Sequence, residues 1–386
     1  MEELKHIHML SEQIGPRGPT KRNELLAAHY IREVFEKLGL GVEVQSFTSV
    51  KLFTWTFGFI YLLFFLCLFV FLYSQFLAFL LCLFGMYIYI KEVNTKDIIS
   101  KYMPGGSSQN VLAKVKAQKY PVKNLIFTAH YDSCKAGILF HPDNVKNFKI
   151  MFQLNYISMA IITFLYGLST ILAKYNIPII FLWYSAIPFT IILSVSLLAL
   201  IHQQIWGKYT PGANSNASGV SVLLELARDI SCSPPDFVET WFLATGCKEA
   251  GNIGMIKFLE HYKLKKEDTL IINIDSIGIG NLKFTLKEGM LKQYPSDDKL
   301  LKMARLSAEE NPKLKVTGDT YNLLATDAAA AMARGYKAMT LMALDKDGQI
   351  PNWNWETDTF NRIEKENLKT AKELSKRILG RIEDSI

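Results

Sequence analysis

Three short stretches of this chain combine the side chains that hydrolytic zinc sites use. They are His130-Tyr131-Asp132-Ser133, Lys248-Glu249 and Asp275. Histidine, glutamate and aspartate supply the imidazole and carboxylate ligands of such sites. Each stretch comes just after an apolar run that reads as a buried strand, at 123–129, 237–244 and 269–274. Side chains that do chemistry in open α/β sheets gather at the carboxyl ends of strands. A lone strand-end aspartate is more often a cap or a turn residue, so the three positions carry weight only together.

The elements that must position these residues alternate along the chain. Residues 23–38 place Leu25, Leu26, Ala28, Ile31, Val34, Phe35 and Leu38 on one helical face and stop at Gly39, a C-cap signal. Residues 42–47 and 110–116 read as further strands. Residues 218–229, 252–261, 325–334 and 365–382 read as helices, and 338–342 as a strand. The expected fold class is α/β, with a mixed, largely parallel sheet flanked by helices.

Of the 386 residues 49% are hydrophobic, and they are unevenly spread. No charged residue occurs in 52–90, 151–173 or 175–201. A bilayer core needs about 20 apolar residues per helix. The first run accommodates two passes, turning at Ser74 and Gln75; the others give one each, separated by Lys174, Asn176 and Pro178. Buried helices of a soluble core seldom run this long without a charge. Two transmembrane hairpins, 52–90 and 151–203, are therefore expected as insertions into one α/β domain made of 1–50, 91–150 and 204–386. If the first three strands form an antiparallel meander, both hairpins leave from the rim that carries His130.

Lys51, Lys91, Lys96, Lys101, Lys146, Lys149 and Lys208 flank the spans on the side of the α/β domain, against Lys174 alone opposite. The positive-inside rule makes that domain cytoplasmic on an integral protein of the cell membrane. Residues 1–45 lack the apolar core of a signal peptide. Cys67 and Cys82 fall inside spans, and Cys134, Cys232 and Cys247 form an odd, unpatterned set that reads as free thiols. Much of the basic excess behind the net charge of +7 borders the membrane, where anionic headgroups attract it. No nucleic-acid-binding signature accompanies it, so the expected partner is the lipid bilayer, with a peptide or membrane protein beside it.

Taken in order, the motifs resemble those of metallopeptidase family 28, the di-zinc exopeptidases that include leucyl aminopeptidases and glutaminyl cyclases. Gly15-Pro16-Arg17 resembles the family's N-terminal segment, and AHYDS at 129–133 its first metal motif. PGANSNASGVSVLLELAR at 211–228, ATGCKEAGNIG at 244–254 and INIDSIG at 272–278 are similar to the next three. ATDAAAAMARGYKAMTL at 325–341 and WNWETDT at 353–359 are similar to the last two. The resemblance implies a zinc-exopeptidase-like fold. It also implies metal ligands at His130, Glu249 and Asp275, with Asp132 orienting the histidine from behind. Four positions depart from the pattern. Ser215 stands where the family has the bridging aspartate, Lys248 where it has the general base, and Asn354 where it has the last histidine. Ala328 replaces a histidine that normally follows the aspartate at 327.

These departures have physical consequences. A serine hydroxyl cannot bridge two dications as a carboxylate does, and asparagine is a poor zinc ligand. One potential site keeps only Glu249; the other keeps His130 and Asp275. A catalytic zinc normally has three protein ligands and a water. Lysine cannot serve as the carboxylate base. Lys248 is expected instead to occupy metal space and pair with Glu249 or Asp275, the contrary expectation being a lysine turned to solvent. Asn216, His141, Cys134 or Cys247 could supply a substitute ligand or a thiol. No cofactor is expected, and zinc if any metal. The sequence reads as a membrane-bound aminopeptidase-like protein, a catalytically inactive pseudopeptidase that binds a peptide or membrane partner. The alternatives are an active membrane metallo-aminopeptidase with an altered zinc site, and a non-catalytic accessory subunit of a membrane transporter.

Overall fold

The computed structural model describes residues 2–386. In chain order the elements are α1 (Glu2–His8), α2 (Arg22–Lys37), β1 (Val42–Val50), α3 (Phe53–Tyr73), α4 (Gln75–Val93), β2 (Gly105–Val115) and β3 (Lys123–His130). There follow α5 (Pro142–Val145), α6 (Phe148–Ala173), α7 (Ile180–Trp206), α8 (Gly219–Cys232), β4 (Val238–Thr245), α9 (Ile253–Tyr262) and β5 (Thr269–Ile274). The chain ends with β6 (Asn281–Glu288), β7 (Tyr294–Pro295), α10 (Asp298–Glu309), β8 (Thr317–Tyr321), α11 (Asp327–Met332), β9 (Lys337–Leu344) and α12 (Lys365–Glu383).

The strands form one mixed sheet in the order β1-β2-β4-β3-β5-β9-β6-β7, with β8 beside β6. Its parallel centre is β4-β3-β5-β9; β1, β2 and β7 pair antiparallel, as does β6 with β9. The central strands are apolar over most of their length because both faces are covered. In β3, Leu125, Phe127 and Ala129 join the core with Ile31 and Phe35 of α2 and Leu223 of α8. Ile126 faces the other way, into the cluster of Met255 and Phe258 of α9 and Ala331 of α11. Strands β6, β7 and β8 and helix α10 were not anticipated from the sequence. Strand β8 reads Thr-Gly-Asp-Thr-Tyr and is only half covered, so it has neither an apolar run nor a clean alternation.

β2 pairs with β1 but not with β3, which corrects the expected meander. Residues 116–122 are not a hairpin turn between paired strands. Instead β4 returns through α8 and inserts between β2 and β3, pairing antiparallel with one and parallel with the other. The strand directions survive the correction: β1 and β3 both run antiparallel to β2. The α3–α4 and α6–α7 hairpins therefore leave the sheet from the same rim.

Those four helices are long and apolar enough to cross a membrane. At about 1.5 Å per residue, the shortest, of 19 residues, is about 29 Å long, close to a bilayer core. They pack as a bundle with Phe59, Leu66, Phe69, Leu72 and Phe164 exposed outward. Inside, Asn155 donates to Tyr61 Oη at 3.1 Å and accepts from Ser196 Oγ at 2.9 Å, tying α3, α6 and α7 together. The bundle's apolar cluster continues into the α/β domain through Phe140, Tyr321, Met342 and Trp353.

Candidate functional site

Parallel pairing brings three strand ends side by side. β3 lies between β4 and β5, and His130 pairs in register with Thr245 at the end of β4. Asp275 follows the last residue of β5, and its N–H donates to Leu341 O of β9. Between β4 and α9 the chain makes a tight loop, with Cys247 at φ 54° and Asn252 at φ 58°. This loop carries Lys248 and Glu249 back over the sheet edge. His130, Lys248, Glu249 and Asp275 thus converge because of topology, although they are far apart in sequence.

Asp132 holds the loop in place. Its carboxylate accepts the backbone N–H of Lys248 at 3.1 Å and of Glu249 at 2.8 Å. His130 Nδ1 stands 3.3 Å from the same carboxylate, and Nε2 stands 3.6 Å from Asp275 Oδ1. From behind, the buried Glu24 of α2 accepts from Cys247 N–H and Ser108 Oγ, both at 3.0 Å. Burial, reinforced by the charge of Asp132, pushes the Glu24 carboxyl up to about 8.

The Lys248 side chain is turned inward. Its Nζ donates to Glu249 Oε1 at 2.9 Å and stands 3.7 Å from Asp275 Oδ2, with the residue only 8% exposed. Burial opposes the charge, but Asp275 and Glu249 outweigh it and hold the ammonium well above the usual lysine range. Asp275 behaves in the mirror sense: burial would raise its carboxyl, but Lys248 and then His130 drive it below the usual range. Burial and Lys248 both disfavour a proton on His130, yet the neighbouring carboxylates of Asp275 and Asp132 raise it to about 9. At neutral pH two cations, Lys248 and His130, therefore face Asp132, Glu249 and Asp275.

The other substituted positions also line up here. Asn354, at φ 50°, directs its amide at Glu249 Oε2, 3.4 Å away. Ser215 is buried; its N–H donates to Asp358 Oδ2 at 3.0 Å, and its hydroxyl has no hydrogen-bond partner. Ala328 is buried on α11. Its neighbour Asp327 accepts from Thr245 Oγ1 at 2.5 Å, and burial raises its carboxyl to about 6.

These donors do not fit a zinc ion as they stand. A protonated lysine has three donors and no lone pair to coordinate with, and its Nζ engages both retained carboxylates, Glu249 and Asp275. Among the described residues no group of three or more His, Cys, Asp or Glu side chains is placed to hold a metal. The substitute ligands are engaged elsewhere. The Asn216 amide donates to Ile274 O and accepts from Gly219 and Ser276 N–H groups. His141 packs edge-on against Trp355, 5.0 Å between centroids. Cys134 and Cys247 are buried, and burial pushes both thiols up, the opposite of what a reactive thiolate needs.

Arg17, Glu24 and Tyr321 are site residues that sequence reasoning did not reach as such. Arg17 is fully buried and donates to Tyr131 O at 2.7 Å, Pro211 O at 2.8 Å and Gly212 O at 2.8 Å, fastening the His130 strand end to the 211–218 turn. Tyr321 closes the cluster beside Lys248 from β8, a strand with no sequence signal. Glu24 looked like an ordinary acid in the first turn of an amphipathic helix. A charged residue on that helix's buried face was the signal available.

A cleft of about 60 Å³ opens beside this cluster, lined by Lys248, Glu249 and Asn252 together with Phe53 and Phe57 of α3 and Glu92 of α4. It has room for a few waters.

Residues 197–379 match Peptidase family M28. The Bacillus subtilis (strain 168) aminopeptidase YwaD is 39% identical over 72 residues, which cover 18% of this chain and 16% of that protein. Among solved structures, the chain is similar to BSAP, a zinc aminopeptidase from Bacillus subtilis, with a TM-score of 0.58 at 16% identity, over 99% of this chain and 94% of that one. The Bacteroides thetaiotaomicron glutaminyl cyclase bound to N-acetylhistamine gives 0.57 at 14% identity, over 98% and 96%. Those identities speak for the fold alone. The match of residues 197–379 and the structural likeness together support an M28 metallopeptidase-like fold for the chain.

Proposed function

We propose that this chain is a membrane-embedded pseudopeptidase: an aminopeptidase-like domain that binds a peptide or a membrane protein partner and does not hydrolyse it. The observation that carries the reading is the Lys248 ammonium paired with both Glu249 and Asp275. It neutralises the retained acids with a resident cation and takes the position of the base that hydrolysis needs. Buried charges require such partners. The cleft beside it is walled in part by α3 and α4, so an occupant would be met at the face shared with the helix bundle. The outward apolar faces of the four helices support insertion in a bilayer, and the flanking lysines support a cytoplasmic domain.

The test is aminopeptidase turnover by the purified full-length chain in detergent with added zinc, using a panel of aminoacyl reporters. The reading expects no turnover above the His130→Ala variant. Turnover that His130→Ala abolishes overturns it in favour of an active membrane metallo-aminopeptidase.

A further inference from the structure

A second concavity lies on the outer face of the bundle, where α3 begins and α7 ends. Its volume is about 510 Å³, well within the range of small-molecule sites, roughly 300–1,000 Å³. Gly58 and Leu62 form one wall and Leu197 and Ile201 the other, while Met103 and Pro104 of the α/β domain close one end. Gly58 makes the hollow: a Cβ added there would meet nothing nearer than Leu197 Cδ1 at 3.8 Å. The polar groups Thr54 and Gln204 are hydrogen-bonded to each other at 3.0 Å, leaving an apolar trough.

Cations flank the groove's lining along the chain. Lys51 donates its N–H to Pro104 O at 3.3 Å, Lys101 precedes Met103 by two residues, and Lys208 follows Ile205 by three. All three are exposed, and among the described residues none is paired with a carboxylate. Trp55 and Tyr102, next to lining residues, are exposed, as aromatic side chains are at membrane–water boundaries. An apolar trough whose lining is flanked by three exposed lysines matches the two ends of an acidic amphiphile. A partner's apolar helix would match the trough and leave the lysines unanswered.

We propose that this groove holds one acyl chain of an anionic phospholipid, with the headgroup phosphate bound by Lys51, Lys101 and Lys208. The proposal rests on membrane insertion of the four helices and is independent of whether the strand-end site hydrolyses anything.

The test is native mass spectrometry of the full-length chain taken from nanodiscs of equal phosphatidylglycerol and phosphatidylcholine. The wild type should retain phosphatidylglycerol in preference. The Lys51→Gln, Lys101→Gln and Lys208→Gln triple variant should lose that preference by at least about fivefold, since each lysine near an acidic headgroup adds measurably to affinity. Gly58→Leu, and Ile201→Trp from the opposite wall, should lower retention of both lipids. Unchanged melting of the triple variant, whose changes are all on the surface, separates loss of the site from loss of the fold. Equal retention of the two lipids by the wild type, wild-type retention by the variants, or a dimer whose contact covers Gly58 would each overturn the proposal. A chain recovered from cell lysate without detergent would overturn membrane insertion itself, a different failure from that of the lipid site alone.

Discussion

Lys248→Met keeps the length of the side chain and removes its charge. In the folded protein this leaves Glu249, 2.9 Å away, and Asp275, 3.7 Å away, as buried carboxylates without their shared cation. Breaking a buried ion pair by deleting one partner costs about 3–5 kcal/mol. For a domain of 150–250 residues that is a drop in Tm of roughly 6–20 °C, and somewhat less for a larger one. The loss should also depend on pH. The Asp275 carboxyl is held low in the wild type, so its contribution is present above the unfolded value of about 3.9 and is lost as pH falls through the folded one. In the variant it titrates higher, so acid relieves the unpaired charge. The gap between the two proteins should be widest at pH 7 and narrow towards pH 4. Thermal unfolding in one detergent at pH 7.5, 6 and 4.5 measures this. A variant that melts within 1 °C of wild type at every pH would mean that Lys248 is solvated, and the argument for a resident cation would fail.

Three further outcomes follow from the same geometry. His130, raised to about 9 from an unfolded value near 6.5, contributes stability that is complete below pH 6.5 and lost by about pH 9. His130→Gln should flatten the fall in Tm across that window, and an unchanged slope would place the proton elsewhere. Arg17→Met strips the backbone carbonyls of residues 131, 211 and 212 of their charged donor. Unsatisfied buried groups cost about 1–3 kcal/mol each, so the variant should melt well below wild type or fail to fold. Asn155→Leu removes both hydrogen bonds that join α6 to α3 and α7. Such bonds are worth about 0.6–2 kcal/mol in a membrane, so detergent-resistant proteolysis should rise modestly, without effect on the strand-end site.

The sequence made visible those parts of the fold that are buried on both faces. Strands 123–130, 238–245 and 269–274 are mostly apolar because helices cover the central sheet above and below, and such stretches need no tertiary information to be recognised. Helix α10 was missed although its signal was there: Asp297 caps Leu300 N–H, and Leu300, Met303 and Ala304 share one face. Strand order was different. Nothing local in residues 105–130 reveals that β4 will separate β2 from β3, because that choice is made by a crossover more than a hundred residues later. The substituted positions could be read one by one, but the inward turn of Lys248 could not. It depends on Asp132 fixing the loop through two backbone N–H groups, and on Asp275 arriving from another strand.

Lys248 is proposed to stand among the acids in place of metal. Zinc stoichiometry of the full-length chain, purified with zinc present and then dialysed, tests this. The wild type should hold far less than one zinc per chain, with a clear rise in Lys248→Glu with Ser215→Asp and Asn354→His. One or two zinc ions per wild-type chain, lost in His130→Ala, would contradict it.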